Sequence, residues 1–238
     1  MSGIDPDSTG ADLDDIEDFL GKWRGRWPEW RIARVFVAES QRDVAEAWFA
    51  LLHEWTDAAW AGDDPTPGFA KLAWWQEELT GWAKGMRRHP LGRVLQKQIA
   101  QTQWTTLAAA LPALRAVREP LRAWAAPHTL MTLLQPLAAA IADAERALFA
   151  DDAAAIADPF LLLAAHALWH RDDADVAAQA RAWAQVLTSV PPQRAGTRPR
   201  RIHDALQLAR LHRVAANGEV AALPPMAALW RSWRAARG

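Results

Sequence analysis

Residues 44–55 read Val44-Ala45-Glu46-Ala47-Trp48-Phe49-Ala50-Leu51-Leu52-His53-Glu54-Trp55. Val44, Ala47, Trp48, Leu51, Leu52 and Trp55 fall at i, i+3, i+4, i+7, i+8 and i+11, the spacing of one stripe along an α-helix. A half-buried strand would alternate every second residue, and this stretch does not. Ala45, Glu46, Ala50 and Glu54 are good helix formers between the apolar positions. A second strip, Ala45, Phe49, Thr56 and Trp60, lies beside the first on the helical wheel.

The same three-and-four spacing continues on both sides, and Pro and Gly punctuate it. The breaks fall at Gly62-Asp63-Asp64-Pro65-Thr66-Pro67-Gly68, His89-Pro90, Ala126-Pro127, Asp158-Pro159, Pro191-Pro192 and Pro224-Pro225. Asp158 before Pro159 has the form of an N-cap followed by proline at the first helical position. The pattern predicts helices near 12–23, 29–39, 41–61, 68–87, 91–124, 128–149, 159–169, 173–190, 199–217 and 225–236, with the fifth broken near Pro112 or Pro120. No fixed-period repeat or long low-complexity linker divides the chain. The expectation is one all-α domain of about ten helices over 21–238, preceded by an acidic, partly mobile segment over 1–20. Within that segment Leu13, Ile16, Phe19 and Leu20 form an amphipathic set able to dock as a short helix.

Composition narrows the functional classes. The chain has 238 residues, 27 Lys+Arg against 28 Asp+Glu, and no Cys. Disulfide scaffolds and Cys-based zinc sites are excluded. A net charge of -1 gives no global basic field for nucleic acid. No run approaches the roughly 18 apolar residues of a membrane span. The first twenty residues hold Asp5, Asp7, Asp12, Asp14, Asp15, Glu17 and Asp18 without a basic residue, the reverse of a signal peptide's start. A cytoplasmic location is expected. Fifteen Trp stand beside zero Tyr, so any chemistry needing a phenolic hydroxyl is ruled out. There is no G-x-S-x-G, P-loop, G-x-G-x-x-G or H-E-x-x-H.

Leu72-Ala73-Trp74-Trp75-Gln76-Glu77-Glu78-Leu79, followed by Arg88-His89-Pro90-Leu91, resembles the squalene/phytoene synthase family. Bacterial members carry an L-A-W-W-R-E-E-L helix, then a glycine and an H-P-V or H-P-L step. Ala33-Arg34-Val35-Phe36 is similar to that family's A-R-S-F entry, and 42–61 lies where its first catalytic helix lies. The convincing part covers roughly residues 30–95. The resemblance implies an isoprenoid-synthase fold, with helices around a central apolar cavity. Active members join two prenyl diphosphates head to head, using Mg²⁺ held by a D-x-x-x-D on each of two helices. That spacing puts two hard oxygen ligands on one helical face, a turn apart.

The motif residues do not all follow. On the first motif, Thr56 stands at the first metal-binding Asp and Trp60 at the last, while Asp57 fills the middle position and Glu54 the preceding Glu. On the second, the best placement of 180–196 puts Pro192 and Gly196 where the two Asp belong. The resemblance then implies a substrate cavity near Arg34, Phe36, Phe49, Thr56, Trp60 and Trp74, with Ala45, Phe49, Thr56 and Trp60 pointing to the centre of the domain. Trp74 and Trp75, about 100° apart on their helix, must divide their roles, one of them in the core and Glu77 or Glu78 on a basic partner.

Other acids can be considered as substitutes: Asp63-Asp64 in the Pro-rich loop, and Asp172-Asp173 with Asp175 at the start of a later helix. Both sets also suit helix N-termini, where they complement the macrodipole. His166 and His170, four apart, would face a metal together with Asp173, or else mark a capped helix end. The candidate acids are thus Glu54 and Asp57 for catalysis, and Asp57, Asp63 and Asp173 for metal.

The C-terminal third is basic, with Arg194, Arg198, Arg200, Arg201, Arg210, Arg213, Arg231, Arg234 and Arg237 against Asp204 and Glu219. It reads as a solvated face, a phosphate-binding rim, a dock for the acidic first twenty residues, or a contact with anionic lipid. Leu229–Arg237, rich in Arg and Trp, has the make-up of a segment lying at the inner membrane's surface, although Trp230 and Trp233 are equally good packing residues.

The leading expectation is a catalytically degenerate squalene/phytoene synthase-like protein. It would bind an isoprenoid diphosphate, a lipid or a protein partner, with no cofactor. The alternatives are an active Mg²⁺-dependent prenyl transferase using shifted acids, and a structural helical adaptor whose core is packed with Trp.

Overall fold

A computed structural model describes residues 6–119, 125, 127–150, 158, 162–163, 174–189 and 196–238. Among them the chain forms α1 (Pro6–Arg26), α2 (Trp30–Ala33), α3 (Arg42–Trp60), α4 (Pro65–Ala83), α5 (Leu91–Leu95), α6 (Gln101–Ala110), α7 (Pro112–Ala116), α8 (Pro127–Phe149), α9 (Ala174–Ser189), α10 (Arg198–Asn217) and α11 (Pro225–Arg237), with no strand. The fold is all-α, a single domain of about ten helices. The boundary expected after residue 20 falls inside α1, whose Leu20 and Trp23 are buried.

α3 is the central element. Apart from the half-buried Val44 both of its apolar strips are buried, and only Asp43 on it is exposed. It packs against α1, α4, α5 and α7; α4 in turn lies on α6, and α6 and α7 on α8. α10 joins α9 to α11, and α11 covers α2.

Local chemistry sets the helix ends. Asp64 accepts the Thr66 N–H at 2.9 Å and Pro65 takes the first helical position, so α4 starts three residues earlier than the sequence suggests. Gly68 lies against α3 so closely that a Cβ there would stand 2.0 Å from the Ala58 carbonyl oxygen. Only glycine permits that approach. The helix expected over 29–39 stops at Ala33 and continues as two 3₁₀ turns, Arg34–Phe36 and Glu39–Gln41. Arg42 Nε donates to the carbonyls of Arg34 (3.1 Å) and Val37 (3.2 Å), standing in for the amides that a continued helix would supply. The helix expected over 91–124 breaks first after Leu95, well before Pro112. Of the helix expected near 159–169 only Leu162 and Leu163 are described, both helical and buried, and Pro159 of the expected Asp158–Pro159 cap lies outside the described residues.

Tryptophan fills the core as an edge-to-face ladder. Trp48–Trp55, Trp55–Trp75, Trp75–Trp82 and Trp82–Trp104 have ring centroids 6.4, 6.5, 6.3 and 4.8 Å apart, with planes crossed at 75–89°. This geometry sets the positive edge of one ring on the negative face of the next. The ladder runs from α3 through α4 to α6, so three helices share one aromatic seam.

Candidate functional site

The strip that would carry the first metal motif is the place to begin. Ala45, Phe49, Thr56 and Trp60 are all buried. Thr56 Oγ1 donates to carbonyls of its own helix, His53 at 3.0 Å and Leu52 at 3.3 Å. Trp60 Nε1 donates to the Leu114 carbonyl on α7 at 3.1 Å. Four residues on, the buried Arg118 guanidinium donates to the carbonyls of Ala59 (2.5 Å) and Gly62 (2.6 Å). It thereby satisfies acceptors that the C-terminus of α3 leaves open, and puts a cation at the negative end of that helix. The Trp60 half of the strip is closed by α7 and the segment following it.

The carboxylates proposed as ligands do not converge. Glu54 pairs with Lys71 across to α4. Asp57 accepts from Arg26 Nη1 at 2.9 Å, and the same guanidinium lies 2.8 Å from His53 Nε2. Burial, then the Arg26 charge, holds the His53 pKa down to about 4. Asp63 is exposed in the loop, where its backbone carbonyl faces Arg118. Asp173, His166 and His170 lie outside the described residues, as does Pro192. Among the described residues no three His, Asp or Glu group as metal ligands. The first-motif face does not fit Mg²⁺: its hydroxyl and indole groups are bonded elsewhere and the nearby acids are paired to cations.

The other residues expected at a cavity are dispersed. Arg34, in the first 3₁₀ turn, pairs with Asp43 at 3.3 Å. Phe36 is half-buried against the core. Trp74 is half-buried, 5.1 Å from Trp75, with the Arg88 guanidinium 5.2 Å from its ring. Trp75 is wholly buried, so the adjacent rings divide their roles.

Glu78 explains the motif that follows. Its buried carboxylate accepts Trp82 Nε1 (2.8 Å), Arg88 N (2.6 Å), His89 N (2.8 Å) and Arg88 Nε (2.9 Å). Burial opposes ionisation, but these donors win and lower its pKa. The His89-Pro90 step is therefore tied back to α4 by one carboxylate. His89, packed 4.6 Å from the Trp75 ring, has its pKa lowered to about 4 by burial. The glutamate and the histidine of this motif serve the fold.

At the Phe49 half of α3 lies a cluster that sequence reading missed. Glu145 of α8 accepts Trp48 Nε1 at 2.7 Å and pairs with Arg200 of α10, whose other arm reaches Asp204 at 3.2 Å. His203 stacks on Phe49 at 4.4 Å and 17°, and its ring lies 5.0 Å from that of Trp27. Burial, then the Arg200 charge, lowers the His203 pKa to about 3; burial raises that of Asp204 to about 6. A second buried pair, Glu29–Arg210, is completed by the Leu223 N–H on Glu29 (2.6 Å) and by Arg210 on the Arg26 carbonyl (2.9 Å). Arg200 and Arg210, two cations of the basic C-terminal third, are thus internal ion-pair partners rather than a phosphate rim. Nothing local on α10 marked these pairings, since the partners of Arg200 and Arg210 lie 55 and 181 residues away. Perturbed groups also occur in structural networks, and this one has carboxylates matched by guanidinium groups.

Compared with family models, curated proteins and solved structures, the chain matches none.

Proposed function

We propose that the chain is a squalene/phytoene synthase-like helical scaffold that no longer transfers prenyl groups and acts by binding, with a lipid or a protein as its partner. The observation that carries this reading is the closed first-motif face. Where opposed carboxylates would hold Mg²⁺, Thr56 bonds its own helix, Trp60 bonds α7, and the Arg118 guanidinium caps the helix end. Removing buried carboxylates from a core also removes their desolvation cost and mutual repulsion, so the exchange favours stability where catalysis is not required. The Trp ladder beside that face supports the adaptor form of the reading over one with a ligand tunnel.

Ionising an allylic diphosphate requires strong electrostatic stabilisation of the departing group, often the largest catalytic contribution in such sites. Asp57, already paired with Arg26, cannot supply that alone. The test is calorimetry with farnesyl diphosphate followed by product analysis after long incubation with Mg²⁺. Neither binding heat nor product is expected. Squalene, phytoene or a cyclopropyl intermediate would overturn the reading, and binding without product would return an apolar ligand to the interior while keeping the loss of catalysis.

A further inference from the structure

α11 is packed inside out. Its buried residues are Ala228, Ser232 and Ala236, spaced i, i+4 and i+8, and they seat the helix on α10 and α2. The opposite face carries Met226, Leu229, Trp230 and Trp233, which are 73%, 38%, 51% and 43% exposed. At about 100° per residue these four span one side of the helix, with Arg234 and Arg237 among them. Burial of apolar area would favour the reverse orientation. Small side chains hold the inner position because they let α11 lie close to its neighbours, and the large ones remain outside.

The other exposed large apolar residues of the described chain are Val35, Met86, Leu133 and Val186, single residues in a 3₁₀ turn, a loop and two different helices. Isolated cases of that kind are ordinary, whereas four on one helical face mark an interaction surface. The charge of that face identifies what it meets. α11 holds Arg231, Arg234 and Arg237 and no acid. The Arg234 guanidinium lies 5.2 Å from the Trp230 ring, and that of Arg237 lies 4.5 Å from the Trp233 ring. A second copy meeting this face would set arginine against arginine with no carboxylate between them. A bilayer bearing anionic headgroups answers both features, taking Trp rings at headgroup depth and guanidinium groups at the phosphates.

We propose that α11 is an interfacial helix that lies flat on an anionic lipid surface, inserting Met226, Leu229, Trp230 and Trp233 and pairing its arginines with lipid phosphates. Its thirteen residues present a ridge about 20 Å long, which fits a planar surface. No helix among the described residues is long and apolar enough to cross a membrane. Attachment is then peripheral and reversible. It deepens the scaffold reading by naming the partner, yet it does not depend on whether the interior turns over a substrate.

The experiment is co-sedimentation of the full chain with vesicles of phosphatidylcholine alone and of phosphatidylcholine with about a quarter phosphatidylglycerol. Partition onto the anionic vesicles is expected to exceed that onto neutral ones by about tenfold or more at low salt, and to weaken at high salt. The double variant Trp230→Ser/Trp233→Ser should lose about tenfold or more with an unchanged thermal midpoint. Arg234→Gln and Arg237→Gln should each lose about fivefold. Absence of binding to anionic vesicles, or binding indifferent to both sets of substitutions, overturns the proposal. So does a Trp230- and Trp233-dependent dimer in sedimentation velocity without vesicle binding, which assigns the face to a second copy. Binding that emerges only when Asp12, Asp14 and Asp15 become Asn overturns it too, and assigns the face to the chain's own acidic segment. Prenyl transfer measured separately leaves each of these outcomes readable.

Discussion

α3 and α11 solve opposite problems with the same residue. On α3, Trp48, Trp55 and Trp60 are buried, and the indole N–H of Trp48 and of Trp60 is matched to an acceptor, Glu145 and the Leu114 carbonyl. On α11, Trp230 and Trp233 face outward under arginine while alanine and serine face the core. Both helices read as apolar and amphipathic. What separates them is the company of each Trp: Ala, Leu and Phe on α3, and Arg on α11. Trp therefore serves two settings in this chain, an aromatic seam through the core and an exposed stripe along α11.

The largest expected effect tests whether the core alone bears the buried titratable groups. His53, His89 and His203 stand beside α3 and α4, and burial lowers their pKa values to about 4, 4 and 3 from 6.5. In the unfolded chain these rings take up protons near pH 6.5, while the fold keeps them neutral. Stability is thus full above about pH 6.5 and is lost as pH falls toward about 4. Asp204, raised to about 6 from 3.8, works against this by restoring stability as pH falls through that interval, but it is one group against three. Urea unfolding at pH 7 and pH 4.5 should differ by several kcal/mol. An unchanged midpoint would mean that the histidines are not held neutral. α11 holds no group that titrates here, so the α11 variants should show the same pH profile as the parent.

Next in size is Trp75→Ala, which cuts the ladder at its middle. It should cost about 3–5 kcal/mol in urea unfolding, because the site is enclosed by Trp55 of α3, Trp74 and Trp82 of α4 and His89 of the loop that follows, and cannot collapse. A cost near zero would mean that the aromatic seam is dispensable and the comparison with α11 empty.

How much of this was legible follows the range of the interactions. The helical period of 44–55 predicts α3 directly, since its apolar strips are local in sequence and both are buried from Ala45 onward. The break after Leu95 was not legible. No Pro or Gly marks it, and its cause is tertiary: Gln96 turns inward to donate to the carbonyls of Met86 (3.1 Å) and Trp82 (3.3 Å), and its own carbonyl accepts Trp104 Nε1 at 2.9 Å. The early end of α2 likewise depends on Arg42, eight residues beyond Arg34. At the candidate site, the wheel put Phe49, Thr56 and Trp60 on one strip and the family resemblance implied that the strip faces inward; all three are buried. The Glu145–Arg200–Asp204 cluster did not, because α10 reads as a polar helix whose arginines could serve solvent equally well. Pairing across 55 residues leaves no local periodicity to detect.

Glu78→Ala comes third and sharpens the role of the motif carrying the family resemblance. The substitution leaves Trp82 Nε1, the Arg88 and His89 amides and the Arg88 side chain without their shared acceptor. A loss of about 3 kcal/mol in urea unfolding is expected. Glu77→Ala, one residue earlier and exposed, should stay within about 0.5 kcal/mol of the parent. Equal effects at the two positions would remove the structural reason for that glutamate.

The smallest effect is the most telling about α11. Trp230→Ser/Trp233→Ser deletes two large aromatic side chains, and on the scale of the core that would be ruinous. Here both rings are about half exposed, and the contacts that hold α11 in place come from Ala228, Ser232 and Ala236. The folded chain loses little that the unfolded chain does not lose as well, apart from the stacking of Arg234 and Arg237, worth about 0.5–1 kcal/mol at an exposed site. Unfolding stability should therefore change by less than about 1 kcal/mol. Solubility should rise, because the largest apolar stripe on the described surface is gone. A loss of about 3 kcal/mol or more would show that these rings are packed in solution, by α11's own neighbours or by another molecule, and would dissolve the contrast with α3.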